Sequence, residues 1–365
     1  MTDWKGEKLN LCLYGASHDS FVGAVLTGIP AGVKISRGNI ERLLALRRPA
    51  GAPYSTARCE KDEYGIIRGE KNGFTDGGAL EVRIPNTDVR SHDYDDLKGI
   101  MRPGHADFAA VAKYGVSVDL RGGGIFSGRL TAPFCAVGGI AAGAAQCLGI
   151  KAAAYLASVG GYKIASYGDE GFVIPSESGV FAASDEKRKA EAERIMSDAA
   201  RAGDSVGGVV ECVITGLPAG LGDAQFGSLE SRISALAFGI PAVKAVEFGA
   251  GCAFGGALGS AVRDEWYYDG DRAVTRANFN GGINGGISNG MPVCFRLTIK
   301  PAPTFSMPFD TIDIINRRNI RVTPGGRHDA CIAPRVVASA ESAAYIAVSD
   351  AFTEAQWKKI TDLKN

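Results

Sequence analysis

Between Arg129 and Lys151 no residue is charged. The stretch begins LTAPFCAVGGIAAGAAQCLG and is built mostly from Ala and Gly. It is long enough to cross a bilayer, but Ala, Gly, one Pro and one Gln give insertion little driving force. A helix with small side chains on every face packs instead between two layers of a protein core. A helix over 129–148 is therefore expected at the centre of the fold, and no membrane is expected as a partner.

Around this centre the apolar pattern alternates between strand and helix. Apolar and β-branched runs predict strands at 9–14, 78–85, 207–215, 242–248 and 291–300. Helical spacing predicts helices at 106–113, 185–202 and 335–348. The helix in SDEKRKAEAERIMSDAARAG takes Ser184 as N-cap and Gly203 as stop, with charges spaced for a solvated face. Two stretches match each other, VLTGIPAGV at 25–33 and VITGLPAGL at 213–221. Each runs into a Pro-Ala-Gly turn and then a helical segment, 39–46 or 228–238, opening on Asn39 or Ser228 as N-cap. One such match is open to coincidence; the shared order of strand, turn and helix suggests two related halves. No low-complexity linker divides residues 1–365. The reading is a single α/β domain with internal pseudo-symmetry, its helices packed against largely antiparallel sheets.

Forty basic and forty acidic side chains cancel, so no overall bias draws the chain to nucleic acid or a membrane. An anion site must therefore concentrate arginines locally. The eight cysteines form no CxxC pair and sit mostly in apolar runs, as reduced thiols of a cytoplasmic protein do. MTDWKGEKLN lacks the apolar core of a signal peptide. Neither HExxH nor CxxC is present, and no metal is expected. Glycine clusters at 122–124, 281–286 and 325–326. Such clusters serve tight turns or let a ligand approach the backbone.

Four histidines are available, and three stand in suggestive company. His18 lies in GASHDS just after the first predicted strand. RPGHAD at 102–107 turns sharply at Pro103-Gly104 and brings Arg102 near His105. These are an anion fork and a group that exchanges a proton near neutral pH, although a helix start with a solvated His reads the same way. RGGGIFSGR at 121–129 sets arginines around a glycine turn leading into the uncharged helix, where backbone N–H groups can meet an anion. RRPAG adds Arg47 and Arg48, and GGRHDAC adds Arg327, His328 and Asp329. His92, in RSHDYDD, reads as a solvated loop residue.

Taken together, these motifs resemble the chorismate synthase family, nearly end to end. The match includes GxSH at 15–18, TGIPAG at 27–32, RRP at 47–49, NTDVRSHDYD at 86–95, RPGHAD, KYG at 113–115 and RGGG. It continues through GDSVGG at 203–208, TGLPAGLG at 215–222, AVKAVEFG at 242–249, RDE at 263–265, GGINGGISNG at 281–290, KP at 300–301 and GRHDAC at 326–331.

The resemblance implies a single-domain β-α-β sandwich, a helical layer between antiparallel sheets, assembled as a homotetramer. It implies elimination of phosphate from 5-enolpyruvylshikimate 3-phosphate to give chorismate, with reduced FMN and no net redox change. Either NADPH, consumed by the enzyme itself, or an outside reductase supplies the reduced flavin. By the same resemblance His18 protonates the departing phosphate, His105 protonates reduced flavin, and Ser17 and Asp329 form a relay that takes the flavin's proton. Arg47, Arg102 and Arg129 bind the substrate. Phe126, Ser127, Ala242, Gly285, Lys300, Thr304 and Arg327 contact FMN.

Some positions depart from the commoner pattern. Ala16 and Asp19 replace Glu and Gly, Ile125-Phe126-Ser127 replaces Arg-Ser-Ser, Leu46 replaces an Arg, and Phe279 replaces a His. These changes bear on FMN phosphate contacts more than on the reaction. Asp19, if it faces the His18 ring, favours the imidazolium. Two other functions use the same residues: a non-catalytic homologue that holds a phosphorylated ligand, and an FMN-dependent NAD(P)H oxidoreductase.

Overall fold

The computed structural model describes residues 1–49, 51, 54–55, 60–87, 99–182, 185–325 and 329–362. Two five-stranded antiparallel sheets frame the molecule. The first contains β1 (Thr2–Lys5), β2 (Asn10–Gly15), β3 (Phe21–Thr27), β4 (Gly65–Arg68) and β5 (Leu80–Pro85), in the spatial order β1-β2-β3-β5-β4. The second contains β6 (Lys151–Val159), β7 (Tyr162–Lys163), β8 (Gly208–Thr215), β9 (Val243–Phe248) and β10 (Val293–Ile299), in the order β9-β10-β8-β6-β7. Seven helices accompany them among the described residues: α1 (Arg37–Arg47), α2 (Asp107–Tyr114), α3 (Thr131–Cys147), α4 (Glu186–Arg201), α5 (Leu229–Phe238), α6 (Ala333–Asp350) and α7 (Glu354–Asp362).

The uncharged stretch is α3, and 83% of its apolar window is buried, which makes it a core helix rather than a membrane span. It packs on β3 and β5 of the first sheet and on α1 and α6, while α6 lies against β6 and β8 of the second. Two adjacent glycines explain the close fit. A Cβ at Gly138 would lie 2.4 Å from the Ser342 Cβ of α6, and one at Gly139 would lie 2.7 Å from the Ile40 Cα of α1. One continuous hydrophobic core joins both sheets through α1, α3, α5 and α6.

The two matching stretches fold alike. β3 ends at Thr27 and β8 at Thr215, and each is followed by a glycine with positive φ, Gly28 at 95° and Gly216 at 75°. Neither site has room for a side chain: an added Cβ would meet the Lys8 carbonyl oxygen at 1.9 Å and that of Gly149 at 2.3 Å. A serine then caps each helix. Ser228 caps α5 as expected, but α1 starts earlier than its apolar pattern, and Ser36 rather than Asn39 is its cap. The sheets share a strand order too, β2-β3-β5-β4 against β6-β8-β10-β9. α4 is capped by Asp185, whose carboxylate accepts the backbone N–H groups of Lys187 and Arg188; Ser184 lies outside the described residues. The seven described cysteines carry no disulfide, and four of them are buried.

Candidate active site

The connections leading into α3 and α6 meet over one cavity of about 740 Å3. Its floor includes the N-terminal ends of both helices, at Thr131 and Phe134 of α3 and Arg335 and Val336 of α6. Unpaired N–H groups and aligned peptide dipoles make such ends favourable to anions.

His18 sits in the tight turn between β2 and β3. That turn is closed by a hydrogen bond from the Asp19 N–H to the Ala16 carbonyl at 3.2 Å. Asn86 braces it, donating through Nδ2 to the carbonyls of Ala16 and Asp19 at 3.1 and 2.7 Å. The glycines at 122–124 pass beside this turn with φ of 58°, 91° and 54°. Ser17 donates its N–H to the Gly124 carbonyl at 3.2 Å. A Cβ on Gly122 would come within 2.6 Å of Ser17 Oγ and 2.8 Å of His18 Nε2, and one on Gly123 within 3.4 Å of His105 Nε2. The triplet thus threads between the two histidines, and its glycines supply both the turn and the close approach.

His105 is held from behind. Its Nδ1 lies 2.6 Å from Asp107 Oδ1, and Arg102 grips the same carboxylate through Nε at 2.6 Å and Nη2 at 2.8 Å. Burial alone would raise the Asp107 pKa. The hydrogen bonds from Arg102 and His105 reverse this and hold it well below the usual carboxylate range. An ionised Asp107 accepts the Nδ1 proton and leaves Nε2 on the side of Gly123. Arg102 is not among the residues that line the cavity, and its fork meets Asp107 just behind His105.

Arg47 and Arg129 do line the cavity, side by side over Asp62. Arg47 Nη2 donates to Asp62 Oδ2 at 2.7 Å. Arg129 donates to Asp62 Oδ1, to Asn86 Oδ1 at 2.8 Å and to the Pro85 carbonyl at 2.9 Å, and pairs with Glu60 at 2.9 Å. Burial pushes the Asp62 pKa up, and the two guanidinium charges outweigh it and pull it below its ordinary value. Among the described residues the buried Nε of Arg47 meets no hydrogen-bond partner. On the opposite wall Lys300 donates to the Gly104 carbonyl, and its N–H bonds the carbonyl of Ala242 at 3.0 Å. Burial, with help from Lys244, lowers the Lys300 pKa. Asp329, at the entry to α6, pairs with Arg335 at 2.7 Å.

Of the residues expected from sequence, His18, His105, Asp329, Arg47, Arg129, Phe126, Ser127, Ala242 and Lys300 line this cavity. Ser17 is fully buried beside His18. Thr304 stands just past Pro303, the last lining residue of its segment. Gly285 does not reach the cavity; it turns the short hairpin Ile283–Asn284 and Ile287–Ser288, with open space around it. Arg327, His328 and His92 lie outside the described residues. Asp19 is exposed, and among the described residues Asp119 is a carboxylate electrostatically coupled to His18. Hydrogen bonds from Arg121 hold Asp119 below its ordinary pKa, and the His18 ring adds to the effect. Sequence reasoning gave no role to Asp62, Asn86, Asp107 or Arg335. Asp107 and Asn86 lie in quoted motifs, RPGHAD and NTDVRSHDYD, while Asp62 and Arg335 lie in none.

The family model for chorismate synthase matches residues 9–353. The chain belongs to the chorismate synthase family. A chorismate synthase of Korarchaeum cryptofilum is 36% identical over 350 residues, covering 94% of this chain and 96% of its own. One of Dehalococcoides mccartyi is 38% identical over 352 residues, covering 96% of each. A crystal structure of a chorismate synthase superposes with a TM-score of 0.74 at 26% identity, covering 99% of this chain and 98% of that one. Chorismate synthases are phosphate-eliminating lyases of the shikimate pathway, in aromatic amino acid biosynthesis. The cavity accordingly belongs to an enzyme, and neither the ligand-holding homologue nor the oxidoreductase reading is needed to explain it.

Proposed function

We propose that this cavity converts 5-enolpyruvylshikimate 3-phosphate into chorismate by 1,4-anti elimination. The observation that carries this reading is the meeting of His18, His105 and Asp329 with Arg47, Arg129 and Arg335 on one cavity, at two helix N-termini. The substrate brings a phosphate and two carboxylates, and planar guanidinium forks match both. Arg47 and Arg129, which line the cavity, are the arginines we assign to the substrate first, with Arg102 behind them at Asp107. In the elimination the C–O bond to phosphate breaks and the electron pair of a ring C–H bond ends in the new double bond. His18 donates a proton to the departing phosphate oxygen. Asp329, with Ser17, takes up the proton that leaves. His105, fixed by Asp107 and Arg102, holds a proton at Nε2.

Reduced FMN is the cofactor we assign, and when bound it supplies an electron source without net oxidation. The residues present fit it. Ile125, Phe126, Ile240 and Pro241 form an apolar wall for a flat ring, beside Ser127, Ala242 and Lys300. The family resemblance adds Thr304 and Arg327 to these contacts. Gly285 stands on an open hairpin away from the cavity. Its contact with FMN requires a second copy, which accords with a homotetramer. We further read the chain as one cytoplasmic domain over 1–365, a duplicated β-α-β sandwich, on the strength of the shared strand order and turns.

The test is anaerobic turnover with pre-reduced FMN and the phosphorylated substrate, following phosphate and chorismate together. Equimolar release of both is expected, and absence of phosphate release sinks the reading. Repeating the assay with oxidised FMN and NADPH shows whether the enzyme reduces its own flavin or needs an outside reductase.

A further inference from the structure

Arg335 belongs to none of the motifs that marked the site, yet it stands between two of its parts. It leaves the first turn of α6 and lines the cavity. Its Nη1 donates to Asp329 Oδ2 at 2.7 Å, and its Nε to the backbone carbonyl of Arg47 at 3.4 Å. One planar fork therefore ties the carboxylate before α6 to the end of the helix that carries Arg47. Burial works against this charge and lowers the Arg335 pKa, while Asp329 opposes the shift. A guanidinium stays protonated throughout the physiological range even so. A half-buried ion pair is weak ground for stability, because desolvation offsets its attraction. Its effect here is geometric: the fork sets the direction of the Asp329 carboxylate relative to the end of α1.

We propose that Arg335 is a positioning residue for the elimination, holding Asp329 in the orientation that accepts the leaving proton. The proposal rests on the role given to Asp329 above, and its test separates the two. Holoenzyme with reduced FMN is compared with Arg335→Met, Arg335→Lys, Asp329→Asn and the Arg335→Met/Asp329→Asn double variant. Fold is checked by thermal midpoint and by the affinity for oxidised FMN. Misorienting a reacting group by about 1 Å costs about 100-fold, so Arg335→Met should lower kcat by about that factor with KM little changed. Lysine should recover part of the loss, and the double variant should be no slower than Asp329→Asn.

A rise in KM at constant kcat would make Arg335 a substrate ligand and overturn the proposal. So would losses that multiply in the double variant, or a Lys variant no better than Met. Wild-type turnover by Arg335→Met beside a slow Asp329→Asn overturns the positioning role alone. Wild-type turnover by Asp329→Asn removes the role of Asp329 and the proposal with it. Should Arg335→Met fail to fold, Arg335→Lys carries the decision: lower kcat at constant KM supports the proposal, and unchanged kcat overturns it.

Discussion

The first and second sheets carry equivalent helices, and the cavity lies where the equivalent ends meet. α1 and α5 follow the second of four matching strands in each half, and α3 and α6 follow the fourth. The last residue of α1 is Arg47 and that of α5 is Phe238, and both line the cavity. Arg129 stands just before α3 and Asp329 just before α6. One pair of ends carries a cation and an aromatic ring, and the other a cation and an anion. The scaffold repeats while the chemistry does not. The first half also carries both described histidines, in a tight turn and in the connection between β5 and α3. Where the first half has that turn, the second has the long connection holding α4. On the proposed roles, two similar frames, differently furnished, give the site an acid side and a base side that neither could build alone.

The largest expected effect tests whether both halves take part in the reaction. A positioned acid or base contributes about 10²–10⁴-fold, so His18→Ala and His105→Ala should each lower the rate of anaerobic phosphate release by that range. Asp329→Asn, from the second half, should fall in the same range, with thermal midpoints near that of the parent. Wild-type turnover from Asp329→Asn would reduce the second half to a support.

A smaller effect is expected one layer behind the histidines. Asp107→Asn keeps a side chain of nearly the same shape but loses the charge that orients His105. Outer-shell partners of this kind typically cost about 10–100-fold in activity. The pH dependence of stability has a definite sign. The folded pKa of Asp107 is depressed, so its contribution is present above the ordinary Asp pKa, about 3.9, and is lost as pH falls below it. Parent protein should therefore lose more stability than Asp107→Asn between pH 5 and pH 3. Arg102 is left without its buried partner in the variant, so Asp107→Asn should also be less stable at pH 7. Urea unfolding at the three pH values reads both. A parallel acid-side decline in the two proteins would mean that Asp107 is not the buried charge that matters.

Much of the frame was legible because it rests on local rules. The uncharged run, the repeated Pro-Ala-Gly turns and the strands at 80–85, 208–215, 243–248 and 293–299 all follow from spacing and turn chemistry. β6 escaped because Lys151–Val159 is rich in alanine, a poor strand former. Its small side chains answer to α6 lying on it, a tertiary fact. The same division holds at the site. His18 and His105 carry glycine-marked motifs, whereas Asp62 and Arg335 act through partners 15 or more residues away and leave no local pattern, apart from the nearer Asp329–Arg335 pair. Arg102 shows how far a motif reaches: it announced an anion fork, and one anion that the fork meets is the protein's own Asp107.

The smallest expected effect asks how alike the two frames are in energy. Ser36 caps α1 by accepting the Asn39 N–H at 3.4 Å, and Ser228 caps α5 by accepting the Ser231 N–H at 3.0 Å. Ser228 also reaches the Ser231 hydroxyl at 2.9 Å. Loss of such a cap costs about 1 kcal/mol. Ser228→Ala should lie at or above this value and Ser36→Ala below it, because the longer bond has less to lose. Both serines lie at the opposite ends of their helices from Arg47 and Phe238, so kcat should stay at the parent level in each. Urea midpoints measured side by side decide the matter. Equal shifts would mean that the frames are matched in energy as well as in strand order. A fall in kcat for Ser36→Ala alone would mean that α1 passes its fraying on to Arg47, and that the first half is the less rigid of the two.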